Sequence, residues 1–250
     1  MASVNIIKFL DKYIGSLICI FLSIFSFSGK NKGKKYKKIL LIQLWGMGET
    51  ILCLPAIKAL KEGNKTALID ILATERVNEV FYNNKNIGDV ISIKLSPFSI
   101  IKFVIINFRK YDLAIDMEEY LNISAIIAFF AGKERIGYSH GIRSNLYTKK
   151  VSYNDKQHVV CAFLDLLKPL GIKKTVKNLE KLNYSDIDKN NIEALLRNND
   201  ISKKDFLVGF GFGAAESVKE RMWPEDRFAA IADYLTEKYN AKVILFGGKD

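Results

Sequence analysis

From Ile39 onward the sequence repeats one pattern: a short apolar run, a small polar turn, then a stretch with helical spacing. The first cycle is the clearest. Residues 39–44 (ILLIQL) are almost continuously apolar, which suits a strand buried on both faces of a parallel sheet. Trp45-Gly46-Met47-Gly48 ends the run, and residues 49–61 follow with Ile51, Leu52, Leu54, Ile57 and Leu60 on helical spacing. Pro55 falls early in that helix and predicts a kink or a late start. Strand patterns recur at 67–73, 90–94, 113–116 and 134–138, and helical ones at 75–82, 97–108, 122–130 and 158–170. Such alternation restricts the fold to α/β, with a doubly wound, Rossmann-like parallel sheet covered by helices on both faces.

Residues 172–204 break the rhythm. They are polar, rich in Lys, Asn and Asp, hold one helical stretch at 186–197, and read as a connection between domains. A second cycle then begins: strand 207–212, a loop from Gly213 to Pro224, helix 225–239 and strand 242–246. Two strands and one helix do not cover a parallel sheet on both faces. The expectation is an incomplete second Rossmann-like unit and a chain truncated at its C-terminal side. The expected organisation is 1–38 as an anchor, 39–171 as the N-terminal domain, 172–204 as the connection and 205–250 as the start of the second domain.

Charge is unevenly spread. Residues 1–38 carry eight lysines against one acid, a net +7 out of +11 for the whole chain. This excess flanks an apolar stretch, IGSLICIFLSIFSF, so it points to an anionic membrane surface rather than to nucleic acid. The stretch is short for a spanning helix, and Ser26-Phe27-Ser28 resembles a signal-peptide cleavage site. A third reading accounts for more. Lys12, Ser16, Cys19, Ser23, Ser26 and Lys30 recur at steps of three and four, so they share one helical face opposite Ile14, Leu17, Ile18, Phe21, Leu22, Ile24 and Phe25. That pattern predicts a helix lying in the headgroup boundary with its polar seam towards water. The six lysines from Lys30 to Lys38 would add about 1 kcal/mol each near an anionic leaflet.

Three widely spaced cysteines and two histidines provide neither a disulfide framework nor a zinc pattern, and suit a reducing compartment. The chemistry sits elsewhere. A buried strand feeding a glycine turn and a helix, as in residues 43–60, places backbone N–H groups at the strand's carboxyl edge, where open parallel sheets bind ligands. Gly46 and Gly48 permit close approach of a ligand to the backbone. Glu49 opens the helix, where an acid is favoured by about 0.3–1 kcal/mol even without a function. Gly48-Glu49-Thr50 is not a P-loop ending, and Ile51 stands where a dinucleotide fingerprint needs its third glycine. In the second unit, Lys219 and Arg221 precede Trp223-Pro224, a helix-start signal. A guanidinium there suits a diphosphate. Asp116, at a strand end before Glu118-Glu119, and His140 with Arg143 in GYSHGIRSNLY are further candidates for acceptor contacts.

KILLIQLWGMGETILCLPAIKALK resembles the opening of glycosyltransferase family 9, which includes the heptosyltransferases. Leu54-Pro55-Ala56 matches its leucine-proline-alanine segment, GFGAAESVKERMWPEDRFAAIADYL resembles the start of its second domain, and ILFGGKD looks like the strand and glycine turn that follow. The resemblance implies two facing Rossmann-like units of GT-B type, with the acceptor on the first and the nucleotide sugar on the second. It further implies inverting transfer that needs neither metal nor cofactor, from an ADP-linked donor to a lipopolysaccharide-core glycolipid at the cytoplasmic face of the inner membrane. The family's general base is an aspartate in a Gly-Asp turn. Its position here is Glu49, one methylene longer, flanked by Trp45, Gly46, Met47, Gly48 and Thr50 on the acceptor side. Arg221 matches the family's basic residue before Trp-Pro and, with Lys219 and Gly213, is the expected donor-diphosphate contact, while the family's later diphosphate-holding turn would lie beyond Asp250. Two other readings remain: a membrane-docked module that binds acceptor without catalysis, and a nicotinamide-dependent oxidoreductase. The second lacks an acid at the end of the second strand, where Ala73-Thr74 stand.

Overall fold

The computed structural model describes residues 8–26, 36–176, 178–213 and 222–247. The chain divides into two compact units, Met1–Asn183 and Tyr184–Asp250. In the first, six strands form one parallel sheet in the order β3-β2-β1-β4-β5-β6: β1 (Lys38–Ile42), β2 (Leu68–Thr74), β3 (Val90–Ile93), β4 (Tyr111–Asp116), β5 (Gly132–Tyr138) and β6 (Lys149–Val151). The apolar run of β1 is buried on both sides, as its composition requires. Ile39 and Leu41 join one core layer with α2 (Met47–Gly63) and α5 (Val159–Asp165). Leu40 and Ile42 join the other layer with α3 (Pro97–Ile106) and α4 (Asn122–Ala131). The second unit holds α6 (Asp186–Asn198), β7 (Leu207–Gly211), α7 (Glu225–Tyr239) and β8 (Lys242–Phe246), with β7 and β8 paired in parallel.

Some elements differ from the sequence reading. The helix expected at 75–82 is a single 3-10 turn, Asn78–Phe81, and α2 runs on through Pro55. The helix expected at 158–170 shortens to α5 plus a 3-10 turn, Lys168–Leu170. His158 caps α5, its Nδ1 accepting from the Val160 N–H at 3.3 Å. The short edge strand β6 had no apolar run to announce it.

The largest difference is at the N-terminal segment. A π-helical turn, Asp11–Gly15, leads into α1 (Ser16–Ser23). Its polar seam faces the protein, not water. Gly15, Cys19 and Leu22 are buried against α4 and the Ile142–Leu146 turn, while Leu17 is 68% and Phe21 61% exposed. Polar chemistry explains the inversion. Leu121, at the head of α4, has no side-chain acceptor, and Asp11 supplies one: its carboxylate accepts from Asn122 N–H (2.9 Å) and Ile123 N–H (2.8 Å). The Asn122 side chain returns bonds to the Asp11 carbonyl (2.9 Å) and Ser16 Oγ (3.2 Å). Among the described residues, no helix is long and apolar enough to cross a membrane.

Candidate functional site

The strand order places the switch point of the sheet between β1 and β4, and ligands of open α/β sheets bind in that crevice at the carboxyl ends of the strands. The turn after β1 is fixed from both neighbours. From β2, Thr74 Oγ1 donates to the Leu44 carbonyl at 2.8 Å. From the β4 side, Glu118 Oε1 accepts from the N–H groups of Leu44 (2.5 Å) and Trp45 (2.8 Å). Gln43 Nε2 donates to the Trp45 carbonyl at 2.9 Å. Gly46 then takes φ +79°, and a Cβ there would lie 2.6 Å from Glu49 Oε2. The Glu49 carboxylate thus folds back over the turn, and a side chain at position 46 would be strained and would displace it. Thr50 is fully buried and closes the first turn of α2, its N–H (2.9 Å) and Oγ1 (2.8 Å) both donating to the Gly46 carbonyl.

Glu49 shares a small pocket with Gln43, Glu118, Glu119, Tyr138 and Tyr153. Burial, and after it the Glu119 charge, raises the pKa of Glu49 above the ordinary carboxylate value. Gln43, which also lines this pocket, has its Oε1 buried with no hydrogen-bond donor among the described residues. His140 Nε2 lies 2.6 Å from the Glu119 carbonyl, its ring stacked 6.1 Å from Tyr138, and Tyr153 meets Tyr138 edge-on at 4.9 Å. Among the described residues, no three His, Cys, Asp or Glu side chains are grouped to hold a metal ion.

Glu118 is the member that sequence reading passed over. It is 3% exposed, and burial, followed by the neighbouring Asp116 charge, pushes its pKa up to about 8 despite the two backbone N–H groups it accepts from. A neutral carboxyl keeps those bonds through one oxygen. The native chain therefore holds a proton that the unfolded chain, titrating near 4.5, releases. The stability contributed is full below the unfolded value and declines as pH rises through about 8. Glu118→Gln is expected to flatten that decline, on the order of a few kcal/mol between mildly acidic and mildly alkaline pH. Urea midpoints of both forms at the two pH extremes check this; equal pH slopes would show Glu118 ionised in the fold.

The other candidates scatter. Trp45 is half-buried, turned from the acid pocket towards an apolar groove, with the Arg76 guanidinium 5.7 Å from its ring centroid. Met47 is 54% exposed, and a Cβ at Gly48 would meet nothing within 4 Å, so open space rather than close protein packing surrounds that glycine. Among the described residues, nothing would meet a Cβ at Gly213 within 4 Å either. Lys219 and Arg221 lie outside the described residues. Asp116 and Arg143 are not surface contacts for an acceptor: they form an ion pair at 2.7 Å with side chains 0% and 3% exposed.

Residues 106–250 match the family model described as glycosyltransferase family 9 (heptosyltransferase). No curated protein matches the sequence. Among solved structures, the chain is similar to the glycosyl transferase family 9 protein from Veillonella parvula DSM 2008, with TM-score 0.76, 23% identity, and coverage of 86% of this chain and 63% of that one. It is also similar to E. coli ADP-heptose lps heptosyltransferase II, with TM-score 0.65, 18% identity and coverage of 85% and 65%. A further likeness is to E. coli heptosyltransferase WaaC with ADP, with TM-score 0.64, 16% identity and coverage of 85% and 67%. WaaC is also solved with ADP-2-deoxy-2-fluoro heptose. The chain thus spans less than two thirds of the first two of these proteins.

Proposed function

The chain belongs to glycosyltransferase family 9, the heptosyltransferase family, and from that premise we propose that it serves inverting, metal-independent transfer of a heptose-like sugar from an ADP-linked donor to a lipopolysaccharide-core glycolipid. The observation that carries the reading is the acid pocket at the β1–β4 crevice, where Glu49 is held over Gly46 beside Gln43 and Glu119. Glu49 takes the proton of an acceptor hydroxyl as its oxygen attacks the anomeric carbon. The bond from that carbon to the diphosphate breaks, and the nucleoside diphosphate leaves with the electron pair. Donor chemistry falls to the second unit in this reading, with Arg221 and Lys219 and the N–H groups after Phe212 stabilising the departing diphosphate. ADP and an ADP-heptose analogue in the WaaC structures support a nucleotide-sugar donor.

The GT-B type of the fold belongs to the same proposal, as does docking at the cytoplasmic face of the inner membrane through α1. The apolar residues that α1 turns outward, together with the basic run after it, support the docking. The test is ADP release from ADP-heptose with a lipopolysaccharide-core acceptor, in the presence of EDTA. Release that requires the acceptor and survives EDTA supports the proposal. No release would favour an acceptor-holding module, and loss with EDTA would sink the metal-independent mechanism.

A further inference from the structure

Arg109 and Arg135 line one pocket of about 280 Å³ with Phe25, Phe108, Phe129 and Phe130. Arg135, on β5, is 2% exposed. Its guanidinium donates to the carbonyls of Leu146 (2.6 Å), Gly132 (3.4 Å) and Lys133 (3.4 Å), and to Ser26 Oγ (3.3 Å). Arg109, in the turn after α3, is exposed and donates to the same Gly132 carbonyl at 3.2 Å. Two cations therefore converge on one carbonyl oxygen. Among the described residues, neither has a carboxylate partner at ion-pair distance, in contrast to Arg143, which the same unit buries against Asp116. Burial and then the Arg109 charge lower the pKa of Arg135 to about 10. A single guanidinium at the end of α4 is explained by the carbonyls it caps. A second guanidinium at the same carbonyl is not, since it adds like-charge repulsion that no carboxylate among the described lining residues offsets.

We propose that this pocket binds the phosphate headgroup of an anionic membrane lipid, whose acyl chain lies in the apolar groove between α1 and α3. Guanidinium groups pair with phosphate through parallel charge-assisted bonds, and two of them would share its oxygens. The groove holds about 540 Å³ and, apart from Lys8 and Asp11, has no charged lining residue. That volume is in the range of lipid- and drug-sized sites. Phe130 lines both the groove and the arginine pocket, so headgroup and chain sites adjoin. Phe108 and Ile105, 62% and 71% exposed, continue the apolar surface. Charge complementarity favours a lipid bearing negative charge, because Arg109 and Arg135 line the headgroup end with no carboxylate among the described lining residues, and Lys8 lines the groove. A free phosphate would leave the groove without an occupant. The inference rests on the membrane-docking part of the proposed function, and names the ligand chemistry at that surface.

Calorimetric titration with monomeric dihexanoyl phosphatidylglycerol tests it. The wild-type chain is expected to show one saturable site. Arg109→Gln, at an exposed position, should weaken binding about tenfold or more. Lys102→Gln, exposed on α3 outside the pocket, should change it by no more than about twofold. Equal losses in both variants, absence of a saturable site, or inorganic phosphate binding as tightly as the lipid would each overturn the proposal. Flotation with phosphatidylcholine vesicles, with and without phosphatidylglycerol, separates the two claims. A chain that floats without a saturable lipid site upholds docking and sinks the pocket. One that binds the short lipid yet fails to float does the reverse.

Discussion

Glu49→Gln is expected to reduce sugar transfer about 10²–10⁴-fold, the usual worth of a positioned general base, while nucleotide-sugar affinity stays within about twofold. The amide keeps the size of the side chain and its place over Gly46, where a carboxylate oxygen lies 2.6 Å from the Cβ position. Only the ability to accept a proton is lost. Burial and the Glu119 charge already move the Glu49 pKa upward, towards the value at which a base is most effective near neutral pH. Rapid-quench measurement of the transfer step, with donor binding followed separately, distinguishes the effects. Turnover at the wild-type rate would remove Glu49 from the base role and direct attention to Glu119.

Asp116→Ala should be the most destabilising single change in the first unit, at about 3–5 kcal/mol. Asp116 is completely buried, and its Oδ2 accepts from Arg143 Nη2 (2.7 Å), Tyr147 OH (2.7 Å) and Ser124 Oγ (2.8 Å). Burial opposes the Arg143 charge, but Asp116 and Tyr147 outweigh it and hold the guanidinium protonated. Removing the carboxylate leaves a cation in the core whose Nη1 has no acceptor among the described residues even in the native state. The measurement is the free energy of urea unfolding. The joint change Asp116→Leu with Arg143→Met is expected to recover most of the loss, because two apolar groups need no partner. A cost below about 1 kcal/mol for the single change would mean that the pair is solvated rather than buried.

Much of this architecture is written in local pattern. The run 39–44 marks a strand wet on neither side, and α7 and β8 start and stop where Pro224, Asn240 and the apolar run 242–246 place them. The failures have physical causes. Val77, Val80 and Phe81 are spaced as a helix face would be, yet three contacts are satisfied by one 3-10 turn. For α1, periodicity identified the residues sharing a face but not which face meets the protein. That choice was made by Asp11 finding the uncapped head of α4, 111 positions away. The place of Glu49 at the carboxyl edge of the sheet was legible, because the turn after the first strand lies there in any sheet of this kind. Glu118 was not, because its meeting with Leu44 and Trp45 depends on β4 lying beside β1, and strand order is set by crossovers rather than by nearby residues. Arg135 looked like an ordinary strand residue until Arg109 was brought to the same carbonyl.

The way α1 is fastened changes what it means to trim the protein for handling. A greasy leader is commonly treated as a detachable handle, to be cut away for solubility. Here the same cut would withdraw the carboxylate that closes the head of α4, empty the socket filled by Cys19 and strip Ser26 from the Arg135 guanidinium. The segment is a wedge in the domain behind it, so gains in solubility would come at the expense of the scaffold beneath the crevice.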